Sequence, residues 1–541
     1  MPLNETLRKR IAETLQRQQL RLVVFDDDPT GIQTVHGCLL LTEWTPAALR
    51  RAFAHSVPMF YVLTNTRAMT RAEAEKVTAD AVRSVLEVWK ELGRPCRLLF
   101  ISRSDSTLRG HYPLETDVMK RELRHAGLPV FPVNFLIPAF IEVGRVTRGG
   151  VHYLIDGEKL IPVAETEFAR DNVFAYHHSD LKGYIEEKTG RSDMDYRSLA
   201  AGETVFPFNA ETLAAALHEA AASGEAAASE VTTGHALASD PAASEVTTDH
   251  ALASDPAASS ASVGDKLFLS VDAVDYEDLQ RFALMLLEAL EDFDGVTVMR
   301  SSSSLPKALG GLPDRPLLSR NDFLGTTSAA DAQPLFIVGS HVKKTTAQLQ
   351  QLLACEGTEG IEVDVQAVLD SLEPSTCTAT DSLEPSPCTA TDSLEPVGRT
   401  APDGHKPSAC TLLDDIEAQI ASAVKRGKTP VVYTSRREIR LDDADARQRL
   451  GQQVSDFLVE TVRRLPLRPL CLIAKGGITS HDILTKGLEV KTATVMGQIL
   501  SGVPCIRTSA ASSVEDLPYV IFPGNVGTES ALAEVYHKLK A

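Results

Sequence analysis

Three consecutive carboxylates, Asp26, Asp27 and Asp28, close the apolar run Leu22–Phe25 and are followed by Pro29, Thr30 and Gly31. A short apolar run of this kind is the pattern of a buried parallel strand. Carboxylates at its C-terminal end sit where open α/β sheets place ligands. Held side by side they repel one another, so they call for a cation, a polyol or a proton between them. Taken alone, the stretch also fits an acidic turn, since Asp, Pro and Gly all favour turns. A second cluster, Ser102–Gly110, follows the apolar run Arg97–Ile101 and sets Arg103, Asp105 and Arg109 among hydroxyls that include Ser106 and Thr107. Guanidinium forks suit a carboxylate or a phosphate. Asp105 suits a sugar hydroxyl or the role of general base, and a salt-bridged loop is the structural alternative. Acidic groups for hydroxyls beside basic groups for an acid fit a small hydroxy acid.

Glycine-flexed loops dominate the C-terminal part. Gly476 and Gly477 follow the apolar run Leu470–Ala474 and allow close backbone approach, while Thr479 and Ser480 can cap a following helix whose free N–H groups face an anion. A plain strand-to-helix turn is the alternative there. The lysine precedes the glycines, so this is neither a GxxxxGK[ST] loop nor a GxGxxG fingerprint. Gly339-Ser340-His341 and Gly524-Asn525-Val526-Gly527 also follow apolar runs. Three such loops fit a phosphate-binding wall of backbone groups, with Lys343 and Lys344 either adding charge or simply solvated. His341 either touches a phosphate or caps its own helix. His36 and His111 either line the ligand site or serve structure. His177-His178 has no matching ligand spacing, and no metal ligand is assigned. Trp44 and Trp89 fit packing roles.

These loops need elements to hold them. The expected order is helix 3–19, strand 22–25, an edge strand or a continuation after the loop at 36–41, helix 47–54, strand 59–63, helix 71–92, strand 97–101, helix 115–126 and strand 130–137. A hairpin and loops follow between Gly144 and Ala200. A second domain begins near Lys266, with strands at 267–271, 296–299, 335–338, 430–433, 470–474 and 519–522 and helices at 276–290, 345–354, 412–425, 448–465 and 529–539. This rhythm defines an α/β chain of two domains, each a largely parallel sheet flanked by helices in three layers. The proposed boundaries are 1–225 for the N-terminal domain, 226–262 for a linker, and 263–541 for the C-terminal domain with an insertion at about 371–405. In the linker, EVTT recurs at Glu230 and Glu245, and in the insertion SLEP recurs at Ser371, Ser382 and Ser393. Both blocks lack large apolar residues and read as disordered insertions.

The chain of 541 residues, 43% hydrophobic, is long enough for two or three domains. Its formal net charge of −19 argues against broad binding to nucleic acid or anionic membranes. No apolar stretch reaches the ~18 residues of a membrane helix, and the N-terminus reads as an amphipathic helix rather than a signal peptide. The eight cysteines form no CxxC pair, as expected of a reduced cytoplasmic protein.

The motifs DDDPTGIQT, SRSDSTLRGHYPLE, GRVTRGG, VGSH, AKGGITSHD, MGQILSGVP and FPGNVG, in this order along the chain, resemble the four-carbon acid sugar kinase family. The resemblance implies an N-terminal domain that binds a sugar acid, a C-terminal domain that binds ATP, Mg²⁺ as cofactor, a homodimer, and phosphorylation of a hydroxyl on a threonate- or erythronate-like acid. Carried onto this chain, it implies that Asp27, Asp28, Thr30 and Gly31 form the acidic substrate motif. Arg103, Asp105, Ser106, Thr107, Arg109 and Gly110 match its second substrate motif. Ser340, Gly476, Gly477, Ile478, Thr479, Gly524, Asn525 and Gly527 match the nucleotide side. Asp28 or Asp105 would orient or deprotonate the hydroxyl, and Arg103 or Arg109 would hold the carboxylate. Two positions depart from the family: Arg103 replaces a common lysine, and Ile478 stands where better-described members carry an acidic residue. A sugar-acid dehydrogenase or isomerase is the competing enzyme and predicts a dinucleotide fingerprint that is missing. A silent sugar-acid or nucleotide binder is the competing non-enzyme.

Overall fold

The computed structural model describes residues 4–199, 266–324, 332–372, 408–436, 444–510, 512–524 and 526–540. The linker at 226–262, nearly all of the repeat insertion, and Asn525 lie outside the described residues. The chain forms two compact units, one of Met1–Gly325 with Glu489–Gly527, the other of Thr326–Leu488 with Thr528–Ala541.

The first unit contains β1 (Leu20–Asp26), β2 (Leu39–Leu41), β3 (Met59–Leu63), β4 (Arg97–Arg103), β5 (Val133–Ile137), β6 (Arg145–Arg148), β7 (Val151–Asp156), β8 (Lys159–Pro162), β9 (Asp195–Leu199), β10 (Leu267–Val271) and β11 (Thr297–Ser301). Eight of these pair in parallel in the order β2-β3-β1-β4-β11-β5-β10-β9. Both faces are covered, because Val23 and Phe25 are as buried as the alternating Leu22 and Val24. On one face Val23, Phe25, Phe60 and Phe100 pack with Leu49, Val82, Leu86, Trp89 and Leu123. These last residues come from the helices Pro46–Ala54, Arg71–Glu91 and Leu114–His125. Each such buried side chain contributes about 1.5–3 kcal/mol. Trp89 also donates its Nε1–H to the Cys96 carbonyl at 2.8 Å, which confirms its packing role. The hairpin expected after Gly144 is the antiparallel ladder β6-β7-β8.

The second unit holds β12 (Leu335–Val338), β13 (Thr358–Val363), β14 (Thr429–Thr434) and β15 (Leu472–Lys475), all parallel in the order β13-β14-β12-β15. The chain then returns to the first unit as β16 (Thr492–Leu500), β17 (Val503–Thr508) and β18 (Pro518–Phe522), an antiparallel run that joins β2 through β16.

Two expectations change here. The strand near 36–41 is interior rather than an edge, because β16 pairs with β2 from the far end of the chain. The runs 267–271, 296–299 and 519–522, expected in the second domain, are β10, β11 and β18 of the first unit's sheet. A short buried run carries no local sign of which neighbour it will choose.

Candidate active site

Parallel register brings separate loops to one level. Asp26 stands opposite Arg103, and Arg103 opposite Ser301, each the last residue of its strand. Beyond that level the Asp27 amide donates to the Arg103 carbonyl at 3.3 Å, and the Ser104 amide to the Ser301 carbonyl at 2.9 Å. The Thr64 amide, following β3, donates to the Asp26 carbonyl at 2.9 Å. The three aspartates, the Thr64–Arg67 segment, the loop after β4 and the serines after β11 are therefore neighbours. Open parallel sheets place ligands at such strand ends.

The cation shared by Asp27 and Asp28 is Arg67, in the segment that follows β3. Its η2 nitrogen lies 2.5 Å from Asp27 Oδ1, its ε nitrogen 3.1 Å from Asp27 Oδ2, and its η1 nitrogen 3.3 Å from Asp28 Oδ2 and 3.8 Å from Asp105 Oδ1. Asp27 is 1% exposed and also accepts from the Ser104 hydroxyl. Asp28 is more open, at 20%, and its Oδ1 accepts from the Thr30 amide at 2.8 Å and the Thr30 hydroxyl at 2.5 Å. Burial pushes the Asp28 carboxyl up, but Arg67 and Arg103 outweigh it and hold the group below its ordinary range. Asp105 behaves likewise: burial raises it, and Arg109 and Arg67 bring it well below the usual carboxylate range. Arg109 donates to Asp105 Oδ2 at 2.8 Å, and the Thr107 amide donates to the same oxygen at 3.2 Å. Gly110, at φ +117°, leaves room at the centre; a Cβ there would stand 2.6 Å from Ser104 Oγ.

Beneath this layer lies a sealed one. Arg103, 4% exposed, donates to Asp26 Oδ1 at 3.1 Å and to Ser303 Oγ at 2.9 Å. Arg300 from β11 pairs with Glu115 and reaches Ser102 Oγ at 2.9 Å. Arg67, Arg300 and Ser303 are site residues that sequence reasoning missed. Only the position of Arg67 after a buried strand signalled it. Asp26 is fully buried, its Oδ2 has no hydrogen-bond partner, and burial pushes its carboxyl up to about 7. Gly31 packs against that carboxyl so closely that a Cβ would fall 2.0–2.3 Å from its atoms. Gly31→Ala is therefore expected to destabilise the chain by about 1–3 kcal/mol, read from the shift of the chemical denaturation midpoint.

The hairpin buttresses the second loop. His152, fully buried, places Nε2 2.7 Å from the Ser106 carbonyl and Nδ1 2.9 Å from Thr147 Oγ1. Burial holds its pKa at about 4, so it stays neutral. His111 sits 3.0 Å from the Met69 carbonyl and edge-on to Phe174, and His36 sits 3.0 Å from the Pro313 carbonyl.

In the second unit, Ser340, Gly476, Gly477 and Thr479 come together where β12 and β15 end. A Cβ on Gly339 would stand 2.3 Å from Thr479 Oγ1, and one on Gly476, at φ +119°, 3.1 Å from Ser340 Cβ. This close approach of glycine backbone to the Ser340 and Thr479 side chains sets backbone and hydroxyl groups side by side, as a phosphate cradle requires. Lys475 is buried beneath it, and burial together with nearby Lys344 pushes its ammonium down to about 7. Arg436 clamps the Ser340 carbonyl at 2.5 Å. Ile478 is 67% exposed. The expected caps differ from what forms. Gly476 is the N-cap of the helix Gly477–Asp482, with no side-chain cap bond, and Ser480 donates back to the Ala474 carbonyl at 2.8 Å. His341 caps nothing: its helix Lys343–Leu353 starts at Val342 without a side-chain cap, and the His341 ring faces Thr434 Oγ1 at 3.4 Å. Gly524 and Gly527 follow β18 in the first unit.

A profile described as a Sugar-binding N-terminal domain matches residues 22–263, and one described as a Nucleotide-binding C-terminal domain matches 396–532. Together they cover most of the sequence, and the chain belongs to the four-carbon acid sugar kinase family. A D-erythronate kinase of Heliobacterium modesticaldum is 32% identical over 131 residues, a match that spans 24% of this chain and 26% of that relative. Two solved structures share the fold. One is a DUF1537 protein of Haemophilus influenzae, at 14% identity and TM-score 0.54, with 96% of this chain and all of the other covered. The second, from Salmonella typhimurium LT2 and described as a candidate tRNA synthase, has 15% identity and TM-score 0.57 over 97% of this chain and all of that one. Among the described residues no helix is long and apolar enough to cross a membrane.

Proposed function

We propose that the protein is a cytoplasmic, ATP-dependent kinase that phosphorylates a hydroxyl of a small sugar acid of the erythronate or threonate kind. The observation that carries this is the buried ion network in which Arg67 joins Asp27, Asp28 and Asp105 at the strand ends of the sugar-binding half. Such a cluster offers ionised acceptors for hydroxyls and guanidinium groups for an acid in one place. Asp28 has an exposed edge and stays ionised beside Arg67, so it is the group placed to accept or orient the hydroxyl proton. Asp27, with no exposed edge, positions Arg67. Asp105, 13% exposed, orients Arg109, which holds the acid end. Arg103 is sealed against Asp26 and Ser303 and is assigned a positioning role.

On the nucleotide side, the Gly339 and Gly476 approach fits phosphate oxygens, and Ser340, Gly477, Thr479 and Lys475 are the residues that would hold them. When bound, ATP supplies the phosphoryl group. Among the described residues no group of three or more His, Cys, Asp or Glu side chains is placed to hold a metal ion. Mg²⁺ therefore enters only as the cofactor that the family implies, and no step is assigned to it.

The test is ADP release from Mg-ATP with D-erythronate, L-threonate and related four-carbon acids. Acid-dependent ADP release supports the reading. ATP binding without acid-dependent turnover on any of these acids refutes it.

A further inference from the structure

The arginines placed so far at the strand ends of the first unit have their charge answered by carboxylates. Arg67 meets Asp27 and Asp28, Arg103 meets Asp26, Arg109 meets Asp105, and Arg300 meets Glu115. Arg145, in the GRVTRGG motif, does not. It opens β6, is half-buried, and forms no ion pair among the described residues. Its η1 nitrogen donates to the Val143 carbonyl, and its ε nitrogen is shut off from water with no acceptor. Yet it is held firmly. Its guanidinium lies 5.8 Å from the centre of the Phe168 ring, and the same ring carries Arg109 at 5.0 Å. The hairpin that bears it is tied down by His152 on Ser106, and by the Gly150 amide on Asp272 Oδ1 at 2.9 Å. Asp105 and Glu167 act on it only from beyond ion-pair distance, and a desolvated guanidinium without a direct ion pair is unfavourable until an anion completes it.

We infer that Arg145 is a specificity-determining residue that takes the carboxylate of the sugar acid, sharing it with Arg109 across Phe168. The assignment rests on the sugar-acid reading above. A single cation without a direct ion pair matches a monoanion. With Asp105 and Asp171 both close to Arg109, the surroundings disfavour a dianionic phosphate.

The test is calorimetric titration of the full chain, wild type, Arg145→Gln and Arg145→Lys, with D-erythronate and with the neutral polyol erythritol. Arg145→Gln is expected to weaken D-erythronate binding at least about 10-fold, as for the loss of one charge-assisted pair. Erythritol binding is expected to stay within about twofold of wild type, because it uses no carboxylate contact. Lysine, a point charge without the planar fork, is expected to fall between. Equal weakening for both ligands, or none for D-erythronate, overturns the assignment while leaving the sugar-acid reading in place. A wild-type chain that binds neither ligand removes that reading and this assignment together. Should the Gln variant lose its cooperative unfolding, the Lys variant carries the test. Weaker D-erythronate binding with erythritol binding intact supports the assignment, and unchanged D-erythronate binding overturns it.

Discussion

Arg67→Met is expected to remove acid-dependent turnover, lowering kcat/KM by at least about 10³-fold, and to cost about 3–5 kcal/mol of stability. The stability loss follows from leaving the buried Asp27 carboxylate, and with it Asp28 and Asp105, without their shared cation. The rate loss follows because Asp27 and Asp28, once without Arg67, either take up protons or move apart, and each outcome removes an ionised acceptor of fixed direction. Denaturant unfolding alongside steady-state kinetics checks both. A variant that unfolds at the wild-type midpoint would show that Arg67 is peripheral to the network. The substitution Arg67→Lys is expected to recover little, since one ammonium cannot span two carboxylates in a fork.

Asp28→Asn should separate chemistry from architecture. Asparagine keeps an acceptor for the Thr30 amide and hydroxyl, which both use Oδ1, so the unfolding midpoint is expected to move by less than about 1 kcal/mol. Loss of the ionised oxygen is expected to lower kcat by about 10²–10⁴-fold with a small change in KM, the range for a positioned general base. Asp105→Asn provides the contrast. Asp105 is bound to Arg109 through the oxygen that also receives Thr107, so its loss is expected in KM through a misplaced Arg109. If Asp105→Asn were instead to remove kcat while Asp28→Asn left it intact, the roles of the two carboxylates would be reversed.

Much of this site was legible in the sequence because its parts are local. Asp26–Gly31 and Ser102–Gly110 each sit at the end of an apolar run, and the parallel strands put them where that pattern requires. The same holds, within the second unit, for Lys475–Ser480. Residues whose meaning depends on distant pairing were not legible. Arg67 belongs to a tetrapeptide with no characteristic spacing, and it becomes central only because β3 lies beside β1. Arg300 and Ser303 reach the site only because β11 inserts between β4 and β5, although the chain between β5 and β11 passes through the repeat-bearing linker. The His341 and Thr479 caps failed for a simpler reason. The His341 ring faces Thr434, and the backbone formed both helix starts without a side-chain cap.

The return of β16, β17 and β18 to the first unit bears on how the protein is made. During synthesis, a nascent chain that has emerged only as far as residue 325 has β2 without its outer neighbour, because the strand that covers it is encoded beyond residue 488. An uncovered strand of three consecutive leucines, Leu39–Leu41, is a template for pairing with another chain. The long first segment of the second unit, Thr326–Leu488, must therefore be translated before this edge can be sealed, an interval in which a chaperone has an obvious substrate. Splitting the gene at the apparent domain boundary would make that interval permanent.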